Sequence, residues 1–329
     1  YQINTGLDTS VFGTGWGAGP WSRGSWGSAA TLDLIKDTLR IWMHDNFGED
    51  LIFNVMNGGI YYWDSSAGLT SNRGVSLSDL SGANLVPTVA TQVLVSDVDR
   101  HVIAFGCDPL DNIGTQDPLL IRFSDQESAT EWEPTATNSA GDLRIGSGSK
   151  IIRAVETRQQ IVIFTDVSMH AMQYLGPPFT FGLTKISENT TIQSPNAAVA
   201  VDDRIFWMGR NEFYIYDGTV NRLPCTVRDY VFNDFNFDQA EKVFAAQNSE
   251  NSEIWWFYPS ENSSENDRYV VFNYLEQVWY FGTLARTAWL DRGIEQYPIA
   301  TGTDKRLYNH EIGFDDGSTV PASAITAYV

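Results

Sequence analysis

A short aromatic strand bracketed by polar turns recurs along this chain. It stands at Gly58–Asp64, Asn211–Gly218 and Asp267–Asn273, with looser copies at Leu119–Ser124, Ser168–Tyr174 and Lys305–Tyr308. Most copies follow another β-like run: Asp50–Val55, Arg100–Phe105, Gln160–Thr165, Ala198–Val201 with Arg204–Trp207, or Glu253–Phe257. The unit reads as strand, turn, strand, turn, and about six units fit at a spacing of roughly 40–60 residues, the range of propeller blades. A unit this small cannot bury both faces of its sheet alone, so units must stack, and stacking about an axis closes a ring with protected edges.

Composition agrees. The chain has 329 residues, of which 43% are hydrophobic, enough for two domains or one large all-β domain. Its 11 Trp, 14 Tyr and 18 Phe suit pleated, half-buried surfaces, and 27 Gly with 12 Pro supply reversals. The expected fold is an all-β propeller of about six irregular blades, with a β-sandwich carrying long insertions as the other architecture the pattern allows. Residues 1–30 differ: Gly13–Trp21 and Gly24–Gly27 alternate Gly with Trp16, Trp21 and Trp26, which reads as an arm laid over a neighbouring surface. The propeller domain is then 31–329. Short helices are expected at Thr31–Leu39 and Cys225–Phe235. The chain opens on Tyr1 and stops in a strand-like run, Ile325–Val329, so it reads as part of a longer chain.

A formal net charge of −20, from 41 acidic and 21 basic residues, opposes free association with nucleic acid or an anionic membrane surface. The acidic runs Glu261–Asp267 and Asp315–Gly317 read as solvated turns. Cys107 and Cys225 stand too far apart in sequence for a disulfide framework and read as buried apolar residues. No run approaches the ~20 apolar residues of a membrane span, and membrane insertion is not expected.

Chemistry is hard to find. Ser124–Trp132 resembles the Asp-box hairpin of sialidase-like propellers, with Ser124 and Asp125 fixing a turn and Trp132 packing beneath it; that role is structural. Arg122, Arg153, Arg158, Arg204, Tyr174 and Glu156 are the residues a sialidase-like site would draw on, but no spacing selects them, and no catalytic residue is expected. Asp234, Asn236 and Asp238, with Glu241 beyond, begin like a calcium loop; the sixth-position Gly and twelfth-position Glu are missing, and Phe235 and Phe237 read as buried. His44, His101, His170 and His310 are scattered without ligand spacing, and His101 and His170 read as hydrogen-bonded core residues. There is no nucleophile elbow, phosphate loop or dinucleotide fingerprint, so neither metal nor cofactor is expected. Asn189–Thr191 and Asn262–Ser264 match the glycosylation pattern, which has meaning only in a chain secreted by a eukaryote.

Gly114–Asp125, Ala136–Gly148, Gly176–Gly182, Ser194–Ala198, Tyr216–Gly218 with Leu223–Cys225, Trp255–Pro259 and Thr287–Gly293 together resemble the tail nozzle (tail stabilisation or tail tubular) proteins of short-tailed bacteriophages, from about Phe47 onward. The resemblance implies a structural virion protein repeated around the tail axis as a hexamer, below the portal and adaptor rings. It further implies fibres or spikes attached outside and genomic DNA leaving through the lumen without specific binding. Acidic walls would then repel phosphates over ~8 Å at physiological salt and lower DNA adhesion during ejection. A carbohydrate-binding or sialidase-like propeller recognising the host receptor at the tail tip is the alternative.

Overall fold

Every copy of the aromatic strand is the third strand of its own antiparallel sheet. The computed structural model describes residues 7–9, 39–68 and 72–312, and these form six sheets, five of four strands and one of three. Blade 1 comprises β1 (Trp42–Phe47), β2 (Asp50–Val55), β3 (Ile60–Trp63) and β4 (Val75–Ser76). Blade 2 has β5 (Ala90–Val95), β6 (Val102–Cys107), β7 (Leu120–Phe123) and β8 (Gly141–Arg144). Blade 3 has β9 (Ile151–Glu156), β10 (Ile161–Thr165), β11 (Ser168–Tyr174) and β12 (Phe181–Glu188). Blade 4 has β13 (Ala198–Val201), β14 (Arg204–Met208), β15 (Phe213–Tyr216) and β16 (Val220–Leu223). Blade 5 has β17 (Phe244–Asn248), β18 (Glu253–Tyr258), β19 (Arg268–Asn273) and β20 (Val278–Thr283). Blade 6 has only β21 (Ala288–Leu290), β22 (Ile299–Thr301) and β23 (Leu307–Asn309).

The sheets are arranged as a six-bladed propeller, as the repeat predicts. In each blade the first strand is innermost, and successive first strands approach one another around the axis: β1 to β5, β5 to β9, β9 to β13, β13 to β17 and β17 to β21. Buried apolar clusters fill the joints. Ile52, Ile60 and Leu77 meet Val93, Val102 and Trp132 between blades 1 and 2; Phe105 and Ile121 meet Ile161 and Ile163 between blades 2 and 3. Phe164, Trp207, Phe213 and Trp256 run continuously through blades 3, 4 and 5, and Phe257 with Trp255 carries Trp289 of blade 6. Burial of this kind contributes ~25 cal/mol per Å² of apolar surface, and the aromatic pairs gain further from tilted and edge contacts such as Phe164 against Trp207 at 5.2 Å and 65°.

Helix is scarce among the described residues. Within Cys225–Phe235 the structure forms only α1 (Arg228–Asn233), whose Val231 is buried. The Gly/Trp-rich arm, the Thr31–Leu39 helix apart from Leu39 itself, the run Asp315–Gly317 and the strand-like run Ile325–Val329 lie outside the described residues. No helix of the described residues is long and apolar enough to cross a membrane.

Candidate functional site

Because the inner strands run the same way along the axis, their starts surround one mouth and their ends the other. The first mouth holds a cavity of about 470 Å³, lined by Leu39–Trp42, Asn196, Phe244, Thr287 and Ala288, by Glu241, Lys242, Glu265 and Asn266, and by Leu7 and Asp8. Lys242 organises it. Its ammonium donates to the Asp8 and Ser264 carbonyls and to Glu265 Oε1, each at 2.6 Å, while its own carbonyl accepts from Asn266 Nδ2 at 2.7 Å. Asn266 is buried, and its Oδ1 has no partner among the described residues.

At the opposite mouth every first hairpin carries a carboxylate, and most of these bind the neighbouring blade. Asp45 of β1 accepts the Val95 N–H of blade 2 at 2.9 Å; Glu156 of β9 accepts the Asp97 N–H of blade 2 at 3.0 Å. Arg158 of blade 3 pairs with Asp202 of blade 4 at 3.1 Å, and both side chains are largely exposed. Between blades 5 and 6, Asp291 accepts the Ser249 N–H at 3.2 Å and Arg292 pairs with Glu250 at 3.0 Å. Glu49 and Asp50 sit at the corresponding turn of blade 1. Burial pushes the Glu156 carboxyl up to about 7, a rise reinforced by the charges of Asp97, Asp45 and Asp99 against the Asp97 N–H bond; burial also raises Asp45 and Asp99. Arg153 of β9 lies inside this ring. Its guanidinium is pulled down to about 10 by burial, only partly offset by the Asp45 charge.

The residues named for a sialidase-like site do not converge. Arg122, on the third strand of blade 2, is fully buried, donates to the Asp108 and Leu85 carbonyls and lies 5.9 Å over the Trp132 ring. Arg204 lies against Phe206 and Tyr274, Arg158 is on the acidic turn face, and Tyr174 sits at the outer end of β11 near His101. Only Arg153 and Glu156 share a strand, three positions apart and therefore on opposite faces.

Ser124, Asp125 and Trp132 occupy the connection between the third and fourth strands of blade 2. Ser124 Oγ accepts the Val102 N–H at 3.0 Å, Asp125 Oδ1 accepts from Ser139 N at 2.8 Å and Ser139 Oγ at 2.7 Å, and Trp132 Nε1 donates to the Ala129 carbonyl at 2.8 Å. The indole is buried in the joint with blade 1 rather than beneath its own turn alone.

The calcium-loop start is used for capping: Asn236 Oδ1 accepts the Asp238 N–H at 3.0 Å, and Asp234 pairs with Arg268 at 3.3 Å. Phe235 is buried, but Phe237 is half-exposed, because the turn places it on the outer side. Among the described residues no group of His, Cys, Asp and Glu could hold a metal ion. His101 Nδ1 donates to the Ser124 carbonyl at 2.7 Å, and His170 Nε2 bonds the hydroxyls of Ser147 and Ser168, each at 3.0 Å; both rings are buried. Cys107 is buried as expected, whereas Cys225 is only half-buried, at the entry to α1. The run Glu261–Asp267 is not wholly a solvated turn, for Asp267 holds Ser260 N and Oγ at 2.8 and 2.7 Å.

No protein family and no curated protein matches this sequence. Solved structures similar to this chain include Hsv2p of Kluyveromyces lactis, at 9% identity over 87% of this chain and 79% of that one, with a TM-score of 0.44. PorZ of Porphyromonas gingivalis, a surface component of a type-IX secretion system, is similar at 9% identity and TM-score 0.48; the matched region is 82% of this chain but 32% of PorZ. A fungal alcohol oxidase in complex with copper aligns at 11% identity and TM-score 0.49, over 79% of this chain and 58% of that one.

Proposed function

We propose that this propeller is a structural subunit of a phage tail nozzle, with no catalytic role, in the virion of a short-tailed phage. The observation that supports it most is the use made of the axial carboxylates. Asp45, Glu156, Asp202 and Asp291 are acceptors or ion-pair partners between neighbouring blades, so the groups that line the mouth hold the ring together. The sequence resemblance supplies the assembly: a hexamer around the tail axis, docked to the adaptor ring, with fibres or spikes outside. Genomic DNA would pass without specific binding, as the net charge of −20 favours.

The test is assembly. Purified chain mixed with the adaptor protein of its own phage should form rings visible by electron microscopy, with the propeller density encircling the axis, and should hydrolyse no glycan. A chain that stays monomeric beside the adaptor yet cleaves or retains glycans on an array would sink this reading and favour receptor recognition at the tail tip.

A further inference from the structure

The cavity at the first mouth is walled by the heads of β1, β17 and β21 and by Asn196 just before β13, and the nozzle reading makes no use of it. Its volume, about 470 Å³, suits a small-molecule site. One wall is built around an ammonium. The three N–H donors of Lys242 go to the Asp8 carbonyl, the Ser264 carbonyl and Glu265 Oε1, so the group has none left to give. In the same wall Asn266 is only 2% exposed, and its Oδ1 has no hydrogen-bond partner among the described residues. Turning the amide over does not cure this, because Nδ2 already holds the Lys242 carbonyl at 2.7 Å. Thr287 is committed as well, its hydroxyl bonded to that of Thr301 at 2.7 Å.

We propose that this cavity binds a primary aliphatic ammonium, whose N–H groups donate to Asn266 Oδ1 and the Glu265 carboxylate and whose carbon chain lies against Leu39, Ile41, Trp42 and Phe244. Asn266 Oδ1 needs a donor, and the charge decides which kind. Asp8, Glu241 and Glu265 line the cavity with Arg40 and Lys242, three carboxylates against two cations, in a chain whose net charge of −20 draws cations and repels anions. A water molecule would satisfy Oδ1 alone; an ammonium satisfies it and balances the wall. Glu265 is open to a second bond, since its side chain is 45% exposed and its contact with Lys242 uses Oε1. The carbon chain has its own surface: Trp42, at the head of β1, is 50% exposed, and an indole face also suits a cation. The inference does not rest on the nozzle reading, because every group in it belongs to one chain.

Isothermal titration of butylammonium chloride into the full chain tests it, with tetramethylammonium chloride and butanol as controls. Butylammonium should saturate one site per chain with a Kd on the order of 1 mM. Tetramethylammonium carries the charge without a donor, and butanol carries the chain without the charge; each should bind at least about ten-fold more weakly. Glu265→Gln keeps an acceptor for Lys242 and should weaken butylammonium about ten-fold, while Asn266→Leu should abolish saturable binding. The proposal is overturned by an absence of saturable binding, by an affinity that either variant leaves unchanged, or by tetramethylammonium binding as tightly as butylammonium, which would be diffuse attraction to an acidic surface. Asn266→Leu also removes the bond to the Lys242 carbonyl. Should that variant not fold, Glu265→Gln and the Trp42 indole N–H resonance decide: the resonance should shift as butylammonium is added, and a resonance that stays in place counts against the site.

Discussion

Gln92 and Ala154 exchange two hydrogen bonds across the joint between blades 2 and 3. Gln92 Nε2 donates to the Ala154 carbonyl at 2.8 Å, and the Ala154 N–H donates to Gln92 Oε1 at 2.7 Å. A side-chain amide thus does for two inner strands what a ladder does within a blade. Asn54 plays the same part between blades 1 and 2, accepting the Val93 N–H and donating to the Ala90 carbonyl, both at 3.0 Å.

Gln92→Leu should therefore destabilise the propeller more than its size suggests. Leu has nearly the same bulk, but it leaves a buried N–H and a buried carbonyl of Ala154 without partners, at ~1–3 kcal/mol each. A loss of about 2–4 kcal/mol in urea unfolding is expected. A loss below about 0.5 kcal/mol would show that the pair is not made in solution.

Glu156→Gln should stabilise the chain at alkaline pH. The folded carboxyl titrates at about 7, above its unfolded value of 4.5, so the folded state holds the extra proton between these pH values. The stability this gives is complete below about pH 4.5 and is lost as pH rises through 7. Gln keeps an acceptor for the Asp97 N–H and carries no charge. The variant should exceed the wild type by on the order of 1 kcal/mol at pH 8, after allowing for solvent screening of a partly buried group, and by much less at pH 5. Urea midpoints at the two pH values check it.

The second and third strands were the legible part of this fold. Tyr214–Tyr216, Trp255–Phe257 and Val270–Phe272 declare themselves because these strands are nearly all apolar and end at polar turns. Apart from Ala198–Val201, which is the inner strand β13, the inner and outer strands escape the same reading. Gln92 of β5 looks like a solvent residue in sequence and is a buried joint-maker, as is Asn54 even within the legible β2, while β12, with Lys185 and Glu188 exposed, is an outer edge whose polarity resembles a loop. The carboxylate latches were illegible for a related reason: Asp45 and Val95, or Glu156 and Asp97, are brought together by ring geometry, which no local spacing records. Glu156 was among the residues considered for chemistry, but its burial between neighbouring carboxylates is a property of the joint.

Acid should loosen blade 6. His310 Nε2 accepts the Arg286 Nε–H at 2.9 Å, and its ring lies 4.6 Å from that of Trp289. Burial first, and the Arg286 charge second, lower its pKa to about 4. The unfolded ring titrates near 6.5, so the unfolded state binds more protons between pH 4 and 6.5, and stability falls as pH drops through that window. His310→Gln retains an acceptor and removes the titration; it should flatten the decline by about 1 kcal/mol, discounted because the ring is partly exposed. Hydrogen exchange of residues 288–301 at pH 5 and 7 reads the effect where it should arise. An acid dependence unchanged in the variant would assign the decline to other groups.

Gly106→Ala should be among the most damaging single-methyl additions to this chain. Gly106 lies inside β6 at φ +57°, a conformation L side chains rarely adopt. The space is also closed: an added Cβ would come within 2.5 Å of Thr91 Oγ1 and 3.3 Å of the Pro118 carbonyl. Thr91 cannot swing away freely, because its hydroxyl donates to Asn57 Oδ1 at 3.0 Å and accepts from Gln116 Nε2 at 3.1 Å, while that same amide holds the Gly106 carbonyl at 2.7 Å. Backbone strain of ~1–2 kcal/mol and the broken network, at ~1 kcal/mol or more, should together lower stability by about 2–4 kcal/mol. The control is Gly114→Ala: that glycine also has a positive φ, +88°, but nothing lies within 4 Å of its added Cβ, so only the strain remains. A Gly106→Ala loss no larger than that of Gly114→Ala would show that the Thr91–Gln116–Asn57 network yields easily and does not brace blade 2 against blade 1.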